Sequence, residues 1–133
     1  MSENNLSKLP KQISNTLNSV NKTLSENQKL KININSNIIL EKEETLNLPS
    51  ISSIFNFDDM RGASDSFALK KRYHNEKFLN QTIINNSDIK EELIFLEKMR
   101  YELYGARPYI GIKKNIQKKW LKRLEAIQVK KQT

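Results

Sequence analysis

Few side chains in this 133-residue chain could do chemistry at neutral pH, and they lie close together. His74 is the single histidine, and there is no cysteine, so disulfides, thiolate metal sites and cysteine nucleophiles are excluded. A metal centre or an acid–base site built on His74 needs further ligands or partners. Glu97 and Glu102 are the carboxylates that could reach it if their helix packs against the helix of His74. The same packing allows a structural histidine, hydrogen-bonded across the helix pair, and with no second His and no Cys that is the stronger reading. Glu97 and Arg100 are i, i+3 neighbours that can pair, whereas Glu102 and Arg100 point apart.

Around these groups lie all three glycines (Gly62, Gly105 and Gly111) and four of the five arginines (Arg61, Arg72, Arg100 and Arg107), in a chain that otherwise relies on lysine. A glycine inside a helix costs about 1 kcal/mol relative to Ala, so Gly62 marks close packing or the approach of a partner. Arginine forks onto carboxylates better than lysine does. An interaction surface is therefore expected around Arg61, Gly62, Asp65, His74, Glu97, Arg100, Glu102, Gly105 and Arg107. The competing account is internal: the same residues tie two helices together. No catalytic, cofactor-binding or metal residue is assigned. There is no Walker A loop, no Gly-x-Ser-x-Gly and no paired-histidine motif, so this chain alone is not expected to catalyse a reaction.

The elements that must position these residues follow from hydrophobic period. Ile13, Leu17, Val20 and Leu24 form one face of a helix over 10–26. Leu30, Ile32 and Ile34 alternate with polar residues, as do Leu46 and Leu48, which predicts a β-hairpin near 29–48 closed by Asn35-Ser36-Asn37. Asp58-Asp59 signals the start of a helix over 59–80, with Met60, Ala63, Phe67, Leu69, Tyr73 and Phe78 on its buried face. Asp88 followed by Glu91 resembles a capping box for a helix over 88–104, ended by Gly105 as a C′ glycine. Ile112, Ile116, Trp120, Leu124 and Ile127 give the stripe of a last helix over 112–128. Phe67, Tyr73, Leu93, Leu96 and Leu103 are the expected core between the two central helices. The fold class is mainly α: a small domain of about four helices with a short β-hairpin in its N-terminal third. Its parts are a disordered N-terminus (1–9), a domain (10–110), and a basic C-terminal helix and tail (111–133).

Charge is placed unevenly. Residues 60–133 carry 17 Lys/Arg against eight Asp/Glu, while residues 1–59 carry six against seven, so the net charge of +8 belongs to the C-terminal half. Trp120 among lysines is compatible with phosphate-backbone binding, but no nucleic-acid recognition motif accompanies it, and nucleic acid is not the expected partner. No apolar stretch approaches the roughly 20 residues that span a bilayer, and the N-terminus has no signal-peptide pattern. No membrane association is expected, and a cytoplasmic location is.

One family pattern falls on this organising stretch. Arg61-Gly62-Ala63, Asp65, Ala68-Leu69 and His74-Asn75 are followed by Glu97, Arg100 and Glu102, then Gly105-Ala106-Arg107, Gly111 and Asn115. In that order the chain resembles the N-terminal domain of the CobT-type subunit of aerobic cobaltochelatase. The resemblance implies a non-catalytic subunit that works with an AAA+ ATPase subunit and a large chelatase subunit. It implies ATP-dependent insertion of cobalt into a corrinoid ring, in cobalamin biosynthesis. Cobalt and ATP would belong to the complex, with no cofactor in this chain, and a homo-oligomer is compatible. The resemblance also favours a buried charge network of Glu97, Arg100 and Glu102 with Arg61 and Arg72 over a solvated face. The family protein is longer and carries a von Willebrand A domain with an Asp-x-Ser-x-Ser metal site, which these residues lack. An N-terminal module, a split gene product and a degenerate remnant all fit, and the alternatives outside the family are a small basic nucleic-acid-binding or general interaction protein.

Overall fold

The computed structural model describes residues 3–132, with side chains over 11–131. The chain is mainly α, with a small sheet in its N-terminal third. Helix α1 (Glu3–Ser25) leads into strands β1 (Lys31–Ser36), β2 (Leu40–Lys42) and β3 (Thr45–Pro49). Helices α2 (Phe57–Tyr73), α3 (Glu76–Asn85), α4 (Lys90–Ala106) and α5 (Ile110–Gln132) follow, with a 3-10 turn at Ser87–Ile89. Helix α1 opens ahead of the start predicted at residue 10. Met1 and Ser2, in the stretch 1–9 expected to be disordered, lie outside the described residues.

The two alternating stretches do form strands, but they do not pair as a hairpin. Strands β1 and β3 run parallel, with Ile32 opposite Leu46 and Ile34 opposite Leu48. Parallel neighbours need a crossover, and the chain makes one by running back as β2 on the far side of β3. The hairpin is therefore β2–β3, with Leu40 opposite Asn47 and Lys42 opposite Thr45. Either pairing keeps the alternation that buries Ile32, Leu46 and Leu48, which is why alternation alone does not decide strand direction. The open edge of β1 is covered by α1. The Asn18 side-chain amide donates to the Ile32 carbonyl at 3.0 Å and accepts from the Ile32 N–H at 2.8 Å, so a side chain takes the place of a neighbouring strand.

Helix α2 is the centre. Asn56 caps it, accepting from the Asp59 N–H at 2.9 Å, while the Asp59 carboxylate accepts from the Asn56 N–H at 2.8 Å. This capping box begins the helix ahead of the predicted start. Met60, Phe67, Ala68 and Leu69 are buried along with Gly62, Ser64, Asp65 and Ser66, so α2 is covered by neighbours on most sides. One core cluster joins Leu17, Leu30, Ile32, Leu46, Leu48, Met60 and Phe67 across α1, the sheet and α2. A second joins Leu24, Ala68, Leu69, Tyr101, Ala106 and Ile116 across α1, α2, α4 and α5.

Further expectations are corrected. The helix over 59–80 is two helices: His74 leaves α2 in an extended conformation, and Asn75 caps α3 by accepting from the Phe78 N–H at 3.0 Å. Phe78, beyond that corner, is exposed. Asp88 lies in the 3-10 turn, and α4 has no side-chain N-cap. Gly105 does not end α4, which continues to Ala106. The apolar stripe assigned to the α4 core faces outward: Leu96 is 59% exposed and Leu103 61%, while Leu93 and Tyr73 are half-buried. The buried side of α4 is instead Glu97, Tyr101, Glu102, Gly105 and Ala106. In α1, Asn21 is buried in the stripe and Val20 is exposed.

This inversion has a direct thermodynamic signature. Phe67→Ala should cost about 3–5 kcal/mol in urea unfolding, as a large buried side chain lost from a packed core. Leu103→Ala should stay within about 0.5 kcal/mol of the parent chain, as a surface change. Equal losses at both sites would contradict the orientation of α4.

Candidate functional site

The residues singled out by chemistry gather along α2, α4 and α5, but in three separate groups. At the corner between α2 and α3, Glu97 is the hub. Arg100 donates to it twice, Nε to Oε2 at 2.8 Å and Nη2 to Oε1 at 2.6 Å. The Asn75 N–H donates to Oε1 at 3.2 Å, and His74 Nδ1 lies 3.2 Å from the same oxygen. Arg100 Nη2 also donates to the Tyr73 carbonyl at 2.7 Å. Tyr73, His74 and Asn75 are the three residues at which α2 turns into α3, so this clamp fixes the corner. The Arg100 guanidinium pushes the Glu97 carboxyl down to about 2, with the Asn75 N–H and His74 adding to it against the cost of burial. An ionised Glu97 as acceptor places the His74 proton on Nδ1. His74 is thus bonded across a helix pair, as the structural reading expects.

In the middle of the bundle, Glu102 is completely buried. It accepts from Ser66 Oγ of α2 at 2.6 Å, from Lys119 Nζ of α5 at 2.5 Å and from Trp120 Nε1 at 2.7 Å. One carboxylate therefore joins three helices. Burial pulls the Lys119 ammonium below the usual lysine range, and the Glu102 charge pulls it back. The third group is a buried pair: Asn115 Nδ2 of α5 donates to Asp65 Oδ2 of α2 at 2.8 Å. Burial raises the Asp65 carboxyl to about 6, against the lowering effects of Asn115 and the Arg61 charge.

The two glycines admit these contacts. A Cβ on Gly62 would sit 3.2 Å from Lys119 Cβ and 3.3 Å from the Asn115 carbonyl oxygen. Helix α5 comes this close to α2 because Gly62 has no side chain. A Cβ on Gly105 would sit 2.4 Å from Leu69 Cδ2 and 2.8 Å from Tyr73 Cε2. No described glycine has a positive φ. Close approach, rather than backbone freedom, is what Gly105 supplies.

Of the nine expected interaction residues, Gly62, Asp65, Glu97, Glu102 and Gly105 are interior and His74 is largely covered. Arg61 is half-buried, with its guanidinium over the Phe57 ring at 5.8 Å. Arg107 is exposed and lies over Tyr104 at 5.0 Å. Arg61 and Arg72 do not join the Glu97 or Glu102 groups. Arg72 reaches the end of α1, donating to the Leu24 carbonyl at 3.3 Å and pairing with Glu26 at 2.9 Å. The single charge network expected from the resemblance is therefore two: an arginine clamp on Glu97 and a lysine–tryptophan cradle on Glu102. They form because the two carboxylates, both on the buried side of α4, meet different neighbours: Glu97 the corner between α2 and α3, Glu102 the helices α2 and α5.

Ser66, Asn115, Lys119 and Trp120 complete these groups and were not among the candidates. The available signal was Ser64-Asp65-Ser66 set between Met60 and Ala63 on one side and Phe67-Ala68-Leu69 on the other. Poor helix formers at buried positions need side-chain partners. A cleft of about 540 Å³ opens beside the two networks, with Ser66, His74, Glu97, Lys98, Tyr101 and Lys119 among its lining. Among the described residues no three His, Asp or Glu side chains converge as metal ligands. Each carboxylate of the three groups already accepts from this chain's own donors. The arrangement is suited to holding helices at fixed angles.

A family model described as cobalamin biosynthesis protein CobT matches residues 10–133. No curated protein and no solved structure matches the chain.

Asp65 gives a pH signature. Its carboxyl titrates at about 6 in the fold against 3.8 ordinarily, so the native chain keeps a proton that the unfolded chain releases. Stability from this group is complete below pH 3.8 and is lost as pH rises through about 6. Glu97 acts oppositely: its contribution is present above pH 4.5 and is lost as pH falls through about 2. Asp65→Asn should remove the decline between pH 4 and 6 and raise stability at pH 7 by at most about 3 kcal/mol. Thermal melts across that range check it, and an unchanged profile would show that Asp65 titrates normally.

Proposed function

Because the chain belongs to the family of the cobalamin biosynthesis protein CobT, we propose that it is a non-catalytic interaction module of a cobaltochelatase. Its partner is an AAA+ ATPase subunit, and the complex, with a large chelatase subunit, inserts cobalt into a corrinoid ring at the expense of ATP. Cobalt and ATP are handled by the complex. This chain contributes a rigid helical platform.

The observation that carries this reading is the apolar stripe of α5, which runs on past the body of the fold. Ile116 is buried, and Ile112 and Trp120 are half-buried against the second core cluster. The same stripe continues through Leu124, 53% exposed, and Ile127, 43% exposed. An amphipathic helix whose first half is covered and whose second half is not is built to receive something on the second half. The side chains of residues 121–131 are all exposed. Lys118, Lys119 and Lys122 are neutralised by Asp58, Glu102 and Asp59, while Lys113 and Lys114 stand exposed. The partner's surface that meets Leu124 and Ile127 is therefore apolar. The interior placement of Gly62, Glu102 and Gly105 supports a structural role for the central stretch, with α5 as the partner-facing element.

The reading predicts that the chain captures an AAA+ ATPase subunit of this kind in a pull-down and hydrolyses no ATP alone. Leu124→Asp should weaken capture about tenfold or more without lowering the melting temperature. Full capture by the variant would move the interface away from α5. A nucleic-acid binder would instead shift DNA or RNA with an affinity falling steeply as salt rises, and that result, without ATPase capture, would overturn the proposal.

A further inference from the structure

The outer face of α4 carries a second, independent pattern. Tyr101, Glu102, Gly105 and Ala106 face inward. At 3.6 residues per turn the opposite side carries Glu92, Leu96, Met99, Leu103 and Arg107. Leu96 and Leu103 are among the more exposed large apolar side chains of the chain, and they sit two turns apart on one line. Arg107 keeps helical backbone angles and so extends that line. Neighbouring elements lie to either side of this face: Tyr104 packs edge-on against Tyr73, and Phe95 against Trp120.

Read in either direction, the face has the same spacing: Glu92, four residues to Leu96, seven to Leu103, four to Arg107. The polarity reverses from one end to the other. We infer that this face pairs with the same face of a second copy of this chain, antiparallel about a twofold axis. Leu96 then meets Leu103 of the second copy, and Leu103 meets the second copy's Leu96. Glu92 meets the second copy's Arg107 at one end, and the symmetric pair forms at the other. A twofold contact must be self-complementary, and the equal four-residue steps at both ends make it so.

Charge selects this occupant and this direction. Neither Glu92 nor Arg107 has an ion pair within the chain among the described residues. Parallel pairing would set Arg107 against Arg107 and Glu92 against Glu92. Arg100, on the border of the same face, has spent Nε and Nη2 on Glu97 and Tyr73, leaving Nη1 to a neighbour. A single helix pair buries less than a standard stable interface, so the dimer is weak, with a Kd on the order of tens of micromolar. The contact uses α4 and leaves α5 open, so its success or failure is separable from ATPase capture.

Sedimentation equilibrium of the full chain tests the inference, from about 5 µM to about 300 µM. The apparent mass should rise toward that of two chains, and Leu96→Asp should return it to one while the melting temperature holds. Glu92→Arg and Arg107→Glu should each weaken the dimer about tenfold by setting like charges together. The doubly reversed chain should recover most of that loss. A parent chain that stays monomeric throughout would overturn the inference and leave the face to another protein. Dimerisation that survives Leu96→Asp, or a double reversal no better than the singles, would equally overturn it.

Discussion

The structure depends on how one buried carboxylate is satisfied. Glu102 has no solvent, and burying a charge costs several kcal/mol unless hydrogen bonds replace its water. Ser66, Lys119 and Trp120 supply those bonds from α2 and α5. Since the donors come from two helices and the acceptor from a third, satisfying Glu102 sets the rotation of α4 about its own axis. The clamp on Glu97 sets it again, nearer the N-terminal end. With both carboxylates turned inward, Leu96 and Leu103 must turn outward. The exposed leucines are a consequence of the interior chemistry.

The rest of the arrangement serves that contact. Lys119 can reach Glu102 only if α5 lies against α2, and Gly62 allows the approach. Gly105 lets Leu69 and Tyr73 fill the space beside the network. The sheet and α1 form an apolar cluster with Met60 and Phe67 of α2, which holds α2 in place. Two kinds of interior thus share one central helix: apolar clusters toward the sheet and toward α4 and α5, and the polar groups of Glu102 and Asp65 set among α2, α4 and α5. The interior is thereby tied together, and the outer faces of α4 and of the end of α5 are left exposed.

Much of this was legible in the sequence. The mainly helical class and the approximate helix positions came from the 3.6-residue period, although five helices stand among the described residues where four were expected, and the strands came from alternation. The pairing of Glu97 with Arg100, the cross-helix histidine and the close approach at Gly62 followed from residue type and spacing. What misled was the assumption that apolar residues decide which face of a helix is buried. On α4 a line through Leu93, Leu96 and Leu103 looks like a core stripe, yet the two inward carboxylates outweigh it because their donors exist only in the folded arrangement. Spacing along one helix cannot reveal donors on two others. The His74–Asn75 corner was hidden for a similar reason. Asparagine is ordinary within a polar helix face, and only the cap to Phe78 and the clamp behind it mark a break. Strand direction was undetermined because the buried alternation suits parallel and antiparallel neighbours alike.

The central claim is that Glu102 and Lys119 act as one unit that orients α4. A double-mutant cycle of Glu102→Gln and Lys119→Met, followed by urea unfolding, measures it most directly. Lys119→Met alone leaves a buried carboxylate without its counter-charge and should cost about 3–5 kcal/mol. The double variant should then recover part of the summed loss, with a coupling above about 1 kcal/mol. Losses that add to within about 0.5 kcal/mol would mean that the two residues act independently, and the orientation of α4 would need another cause.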